Sequence, residues 1–342
     1  VSVGTVSNVL NYPEKVLPDT VARVQASIAA LGFIRNDAAR QLRAGRSKSI
    51  GLIVLDVRNP FFTDLARGAE DRAADSGLSV ILGNSDDNEA RENSYLDLFE
   101  EQRVHGVLIS PQGEIAARLA RLRERGIPAV LVDRSGEDSG FSSVSVDDVA
   151  GGRIAVEHLL AQGRTRIAFV AGSLRIRQVA DRFEGARTAV DAHPGATLEV
   201  VGIETLTVLA GRAAGEGIAR RPPHERPDGI FAANDLVAMG LLQALVMQGE
   251  VVVPDEIALV GYDDIDFAGA AVVPLTSVRQ PSHEIGSKAV EILLEEAADP
   301  SLSPRHIVFQ PELVLRESSR ATLPRVTARG PRVAPRGSVR GD

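Results

Sequence analysis

Polar and aromatic side chains recur in this chain wherever an apolar run ends. Asp133 follows the run 128–132, Asn234 and Asp235 follow 228–232, and Asp263 and Asp264 follow 257–261. Asn59, Phe61 and Phe62 come just after the first run, 50–55. A carboxylate accepts hydrogen bonds from a pair of hydroxyls, and an aromatic ring covers the apolar face of a sugar. The set suits a small polyol better than a large apolar ligand. Asn234 and Asp235 have a second reading, as caps of a helix over 235–247.

The same residue types do not add up to catalysis. His105, His158, His193, His224, His283 and His306 are scattered, without the spacing of a metal site. Asp86 and Asp87 are adjacent acids, but adjacency alone specifies no acid–base geometry. There is no GxSxG, no Walker-type loop, and no dinucleotide fingerprint after 50–55. The expectation is a protein that is not an enzyme, with no catalytic residues, no metal and no cofactor. The absence of cysteine rules out disulfides, thiolate ligands and a cysteine nucleophile, and fits a reducing compartment.

The elements that must position these residues follow a simple grammar. From 49 onward, apolar runs alternate with helical periodicity: strands at 50–55, 79–83, 106–110 and 128–132, helices at 62–76, 89–103 and 113–125. After a helix at 149–162 a second round follows, with strands at 166–171, 198–202, 228–232 and 257–261 and helices at 179–191, 209–220 and 235–247. Runs without alternation suit parallel strands covered on both faces, and the order predicts an open α/β fold. Segment 277–280, a helix at 282–297 and a strand at 306–315 are too few for a third sheet and are expected to complete both halves. Ligands of such sheets bind beyond the carboxyl ends of the strands, so two halves facing each other make a cleft.

At 342 residues, 44% hydrophobic and 25% charged, the chain has the composition of a soluble two-domain protein. No run approaches a membrane span and no leader is evident, so a cytoplasmic protein is expected. Its net charge is -8, yet residues 1–49 carry seven lysines and arginines against three acids. An acidic body with a basic end is what DNA binding confined to that end requires. Helices are expected at 5–10, from about Pro18 to Gly32, and at 37–43. The tail from Pro324, rich in Arg, Gly and Pro, is expected to be disordered.

The string VSVGTVSNVLN at 1–11 resembles the recognition helix of the LacI/GalR family of bacterial repressors, and NDAARQLRAGR at 36–46 resembles that family's hinge helix. NPFF at 59–62, VDR at 132–134, DRFEG at 181–185, AND at 233–235 and GYDD at 261–264 resemble its core landmarks. Together these cover about residues 1–323. The resemblance implies a helix-turn-helix headpiece, here lacking its first helix, and a hinge helix, followed by a two-lobed periplasmic-binding-protein-like core with parallel sheets. The implied division is 1–35 for the headpiece, 36–48 for the hinge, 49–163 with 277–300 for the first lobe, and 164–276 with 305–323 for the second; 324–342 is the tail.

By the same resemblance Val3, Gly4 and Asn8 face base edges, Thr5 and Ser7 meet phosphates, and Arg40 and Leu42 contact DNA from the hinge, Leu42 as a minor-groove wedge. Val6 and Val9, one helical turn apart, read as packing. In the core, Asp133, Arg182, Asn234 and Asp263 are implied to meet hydroxyls or a carboxylate, with a ring from Phe61 or Phe62. Arg182 has a local alternative, pairing with Asp181 or Glu184. Leu206 stands where sugar-binding relatives often carry an aromatic, which leaves room for a furanose, an acyclic polyol or a purine. The implied function is a ligand-responsive repressor acting as a homodimer on a palindromic operator, its pairing surface on helices 62–76 and 89–103. The principal rival is a sugar receptor with no DNA role.

Overall fold

The computed structural model describes residues 1–33, 47–137, 139–247 and 251–320. The chain divides into two units, Val1–Ser47 and Lys48–Asp342. The expected hinge helix, with Arg40 and Leu42, and the tail beyond Pro324 lie outside the described residues.

In the first unit, α1 spans Val3–Asn11 and α2 spans Pro18–Ala30, with a 3-10 turn at Pro13–Lys15 between them. Ser2 caps α1, its hydroxyl accepting from the Thr5 amide at 3.1 Å, so the helix starts earlier than its apolar residues suggest. Pro18 opens α2, where a missing N–H costs nothing. Among the described residues of this unit, Val9 of α1 and Val24 of α2 are the buried apolar ones.

The second unit holds two six-stranded sheets. The first contains β1 (Ser49–Val54), β2 (Ser79–Asn84), β3 (Gly106–Ile109), β4 (Ala129–Val132), β5 (Ser143–Val146) and β11 (His306–Phe309), in the order β11-β5-β4-β3-β1-β2. The second contains β6 (Arg166–Ala171), β7 (Thr197–Gly202), β8 (Gly229–Ala232), β9 (Ala258–Asp263), β10 (Thr276–Arg279) and β12 (Glu312–Val314), in the order β12-β10-β9-β8-β6-β7. All pairings are parallel except β10 with β12. The helices are α3 (Pro60–Ala74), α4 (Glu89–Glu101), α5 (Ala116–Glu124), α6 (Asp148–Ala161), α7 (Arg177–Asp191), α8 (Val208–Ala219), α9 (Asp235–Met247), the short α10 (Asp266–Gly269) and α11 (Ser282–Ala298). The central strands β1, β3, β4, β8 and β9 are buried almost throughout, as their continuous apolar runs require.

Reciprocal glycines let helices pair closely. A methyl built on Gly68 of α3 would lie 1.9 Å from the His283 carbonyl oxygen, and one on Gly286 of α11 would lie 1.9 Å from that of Leu65. The same exchange occurs between Gly152 of α6 and Gly185 of α7, and between Gly211 of α8 and Gly240 of α9.

Four expectations are corrected. Strand β5 was not foreseen: its sequence SVSV reads as polar, yet every residue is buried, and the Ser143 hydroxyl is satisfied by His306 Nδ1 at 3.0 Å and the Gly136 amide at 3.0 Å. The single strand at 306–315 is two strands, because the chain leaves one sheet at Gln310 and Pro311 and enters the other; proline has no N–H for a ladder. Residues 277–279 belong to β10 in the second sheet rather than to the first lobe. Helix α6, expected with the first lobe, packs on α7 and on β8, β9, β10 and β12 of the second. Among the described residues no helix is long and apolar enough to cross a membrane.

Candidate functional site

Where the carboxyl ends of the strands of the two sheets face each other, a cavity of about 350 Å³ opens. Asn59, Phe61, Phe62, Asp133, Arg182, Leu206, Asn234 and Asp263 all line it. The fold thus brings together residues from β1–α3, β4, α7, the β7–α8 loop, β8–α9 and β9.

Asn59 caps α3: its Oδ1 accepts from the Phe61 amide at 3.1 Å. This cap starts the helix at Pro60, ahead of the expected start, and leaves the Asn59 amide free to donate from Nδ2 to Asp263 Oδ2 at 2.8 Å. The other oxygen of Asp263 accepts from Gln280 Nε2 at 2.8 Å and lies 4.0 Å from Arg182 Nη1. Phe61 and Phe62 meet edge to face, centroids 5.0 Å apart, and are largely buried.

Asp133, just after β4, and Asp263, the last residue of β9, have positive φ, 58° and 104°. Few residues other than glycine adopt this backbone, and strain of this kind collects at ligand sites. Burial, followed by the nearby Asp148 carboxylate, pushes the Asp133 carboxyl well above the ordinary carboxylate range. Burial also pushes Asp263 up to about 6, against the pull of Arg182 and the bonds from Asn59 and Gln280.

Arg182 does not pair with its sequence neighbours. Asp181 bonds Arg177, and Glu184 bonds Arg187. Arg182 instead donates from Nε to Asp148 Oδ1 at 2.8 Å and from Nη1 to the Ala233 carbonyl at 2.8 Å, with its guanidinium 3.7 Å from the Tyr262 ring centroid. Burial by itself lowers its pKa, but the carboxylates of Asp148, Asp263 and Asp133 more than offset that and keep it charged. A buried cation held in this way is a fixed anchor, since removing one partner strands the other charge.

Asn234 caps a helix and also lines the cavity. Its Oδ1 caps α9 by accepting from the Val237 amide at 2.9 Å, while the residue lines the cavity and its Nδ2 reaches the Leu206 carbonyl at 3.4 Å. Asp235 faces away, bonded to the Ser277 hydroxyl at 2.7 Å and the Ile265 amide at 2.9 Å. Asp264 likewise pairs with Arg279 and Arg316. Gln178 and Gln280 were missed by sequence reasoning, as were Asp148 and Ser110 behind the wall. Gln280 and Ser110 sit at strand ends and obey the rule that found the others.

On α1, Val3, Gly4 and Asn8 are exposed, Thr5 and Ser7 are half-buried, and Val9 is turned inward with Val6 partly covered. This is the division expected of a helix that presents one face outward. Among the described residues no group of three or more His, Cys, Asp or Glu side chains is placed to hold a metal ion.

A family profile described as a periplasmic binding protein-like domain matches residues 156–319. The ribose operon repressor of Escherichia coli K12 is 32% identical over 327 residues, 93% of this chain and 96% of that protein. The HTH-type transcriptional repressor PurR of Photobacterium profundum is also 32% identical, over 93% of this chain and 95% of its own length. Among solved structures, the Lac repressor dimer bound to operator and the anti-inducer ONPF aligns with a TM-score of 0.80 at 25% identity, covering 94% of this chain and 96% of that one. A LacI family transcriptional regulator from Enterococcus faecium with bound ribose aligns with a TM-score of 0.72 at 27% identity, covering 79% and 98%.

Proposed function

Because the chain belongs to the LacI family of transcription regulators, we propose that a small sugar or polyol in the cavity between its two sheets governs its repression of genes at a palindromic operator. The observation that carries this reading is Asp263. One buried carboxylate takes a hydrogen bond from Asn59 on the first sheet's side and from Gln280 after β10, inside a cavity of sugar size. A ligand hydroxyl meeting that carboxylate touches the bond that ties the two halves together, so occupancy and lobe geometry are linked.

The outward face of α1, with Val3, Gly4 and Asn8, favours a DNA role over a receptor without one. Val3 offers a methyl contact to thymine and Asn8 a bidentate pair to adenine. Two-fold symmetry of a palindrome calls for a homodimer, and the Lac repressor neighbour is a dimer on its operator. The regulator acts in the cytoplasm, binds no cofactor and catalyses no reaction.

A thermal-shift screen of pentoses, hexoses, polyols, phosphorylated sugars and nucleobases tests the effector class, since a ligand of the folded state raises its melting temperature by mass action. A pentose or polyol giving the largest shift supports the reading. A nucleobase as the strongest ligand contradicts it.

A further inference from the structure

Gln178, at the start of α7, is 4% exposed and Asp133 is 3% exposed, and the two are joined by a 2.8 Å bond from Gln178 Nε2 to Asp133 Oδ2. The opposite atom of each side chain, Gln178 Oε1 and Asp133 Oδ1, is buried with no hydrogen-bond partner among the described residues. Both side chains line the cavity. Buried polar atoms are rarely left unpaired, because each unmade bond carries the full desolvation penalty.

Several donors around the cavity are already engaged. Arg182 is engaged with Asp148 and the Ala233 carbonyl, and Arg58 with Asp56 and Asp86. The Asn59 amide is given to Asp263, and that of Asn234 to the Leu206 carbonyl. Six carboxyl side chains line the cavity against the two guanidiniums. A phosphate or carboxylate group brings acceptors and negative charge to a lining in which carboxyl groups outnumber guanidiniums and the donors just named are already engaged. A hydroxyl brings the donor that the orphaned oxygens lack.

On the reading that this cavity is the effector site, we infer that Gln178 and Asp133 form a hydroxyl-reading pair that selects an uncharged polyhydroxyl effector and rejects its phosphate ester. Gln178 is then the specificity-determining member, because it both fixes the Asp133 carboxylate and offers its own carbonyl to the ligand. A site built to pair with a ligand hydroxyl discriminates strongly against an analogue that lacks it, since the protein's own polar group is left unpaired.

The test is calorimetric titration of the full chain with matched pairs: D-ribose and ribose 5-phosphate, D-glucose and glucose 6-phosphate, D-fructose and fructose 6-phosphate. The expected result is that at least one neutral sugar binds and that its phosphate ester binds at least a hundredfold more weakly. For that sugar, one monodeoxy analogue loses at least tenfold in affinity, and Gln178→Met loses as much for the parent sugar while binding that deoxy analogue as the wild type does. Should Gln178→Met fail to fold, the deoxy series on the unaltered protein carries the test. A phosphate ester that binds as tightly as its parent overturns the inference and leaves a sugar-type effector standing. Equal affinity for the parent and every deoxy analogue also overturns it. Binding by no neutral sugar and no ester contradicts the proposed function itself, and this inference with it.

Discussion

Asn59 and Asp263 are 204 positions apart in the chain and share a 2.8 Å hydrogen bond in the wall of one cavity. The asparagine caps α3 behind the first sheet, and the aspartate ends β9 of the second. A single carboxylate therefore reports to both halves of the core. Its replacement separates ligand contact from folding. Asp263→Ala leaves the Asn59 and Gln280 amides unpaired, at a cost of about 1–3 kcal/mol each if they stay buried. The variant is expected to unfold cooperatively at a lower urea midpoint and to lose the melting-temperature shift given by the strongest ligand. A retained shift removes Asp263 from the ligand contacts.

The elevated pKa of Asp263 sets a pH dependence of stability. The unfolded carboxyl ionises near its ordinary value, whereas the folded one holds its proton up to about 6. Between these values the native state binds more protons than the unfolded state, so stability falls as pH rises through the window and levels off above it. A gap of roughly 2 units corresponds to about 3 kcal/mol. Asp263→Asn lacks this penalty, so the stability of the wild type relative to the variant should decline from about pH 4 to about pH 6 and stay constant above. Urea midpoints of both proteins across that range check it, and a relative stability that increases with pH contradicts it.

Arg182 anchors the carboxylates on the second sheet's side. Arg182→Met leaves Asp148 buried beside Asp133 and Asp263 without its cation, and a loss of about 3–5 kcal/mol is expected. Arg182→Lys should recover only a minor part, because an ammonium cannot reproduce the two directed bonds to Asp148 and the Ala233 carbonyl. Equilibrium denaturation of the two variants measures both effects. Wild-type stability in the lysine variant argues that charge alone is what the site needs.

The close helix pairs predict opposite effects for one chemical change. Gly68→Ala drives a methyl into the His283 carbonyl and forces α3 and α11 apart, at about 1–3 kcal/mol. Gly217, in α8, faces open space, so Gly217→Ala should stabilise by up to about 1 kcal/mol through helix propensity. Thermal unfolding of the pair, measured side by side, should move in opposite directions.

Much of this was legible in the sequence, for identifiable reasons. Continuous apolar runs such as 50–55 betray central parallel strands, and the rule that ligands sit beyond strand ends nominates Asp133, Asn234 and Asp263. What hid was of two kinds. Strand β5 alternates serine with valine, and its polarity is repaid by partners such as His306 that are close only in the fold. Unrecognised β5 in turn concealed Asp148, which follows its end and holds Arg182. Gln178 lies in the first turn of a helix rather than at a strand end, and its bond to Asp133 crosses 45 positions. Such a pairing leaves no periodic trace. The crossing of the chain between sheets at Pro311 is marked by the proline alone, which signals a break but not its destination.

Operator affinity measured with and without the strongest cavity ligand, in the wild type and in Asp263→Ala, bears most directly on the account, using an operator selected from a library of palindromic duplexes. Linkage requires that a ligand distinguishing the two lobe arrangements alter DNA affinity, typically by 5-fold or more at about 1 kcal/mol of coupling. The wild type is expected to change its operator affinity by at least that factor at saturating ligand, and Asp263→Ala to show no change. Equal wild-type affinity at zero and saturating ligand contradicts the account.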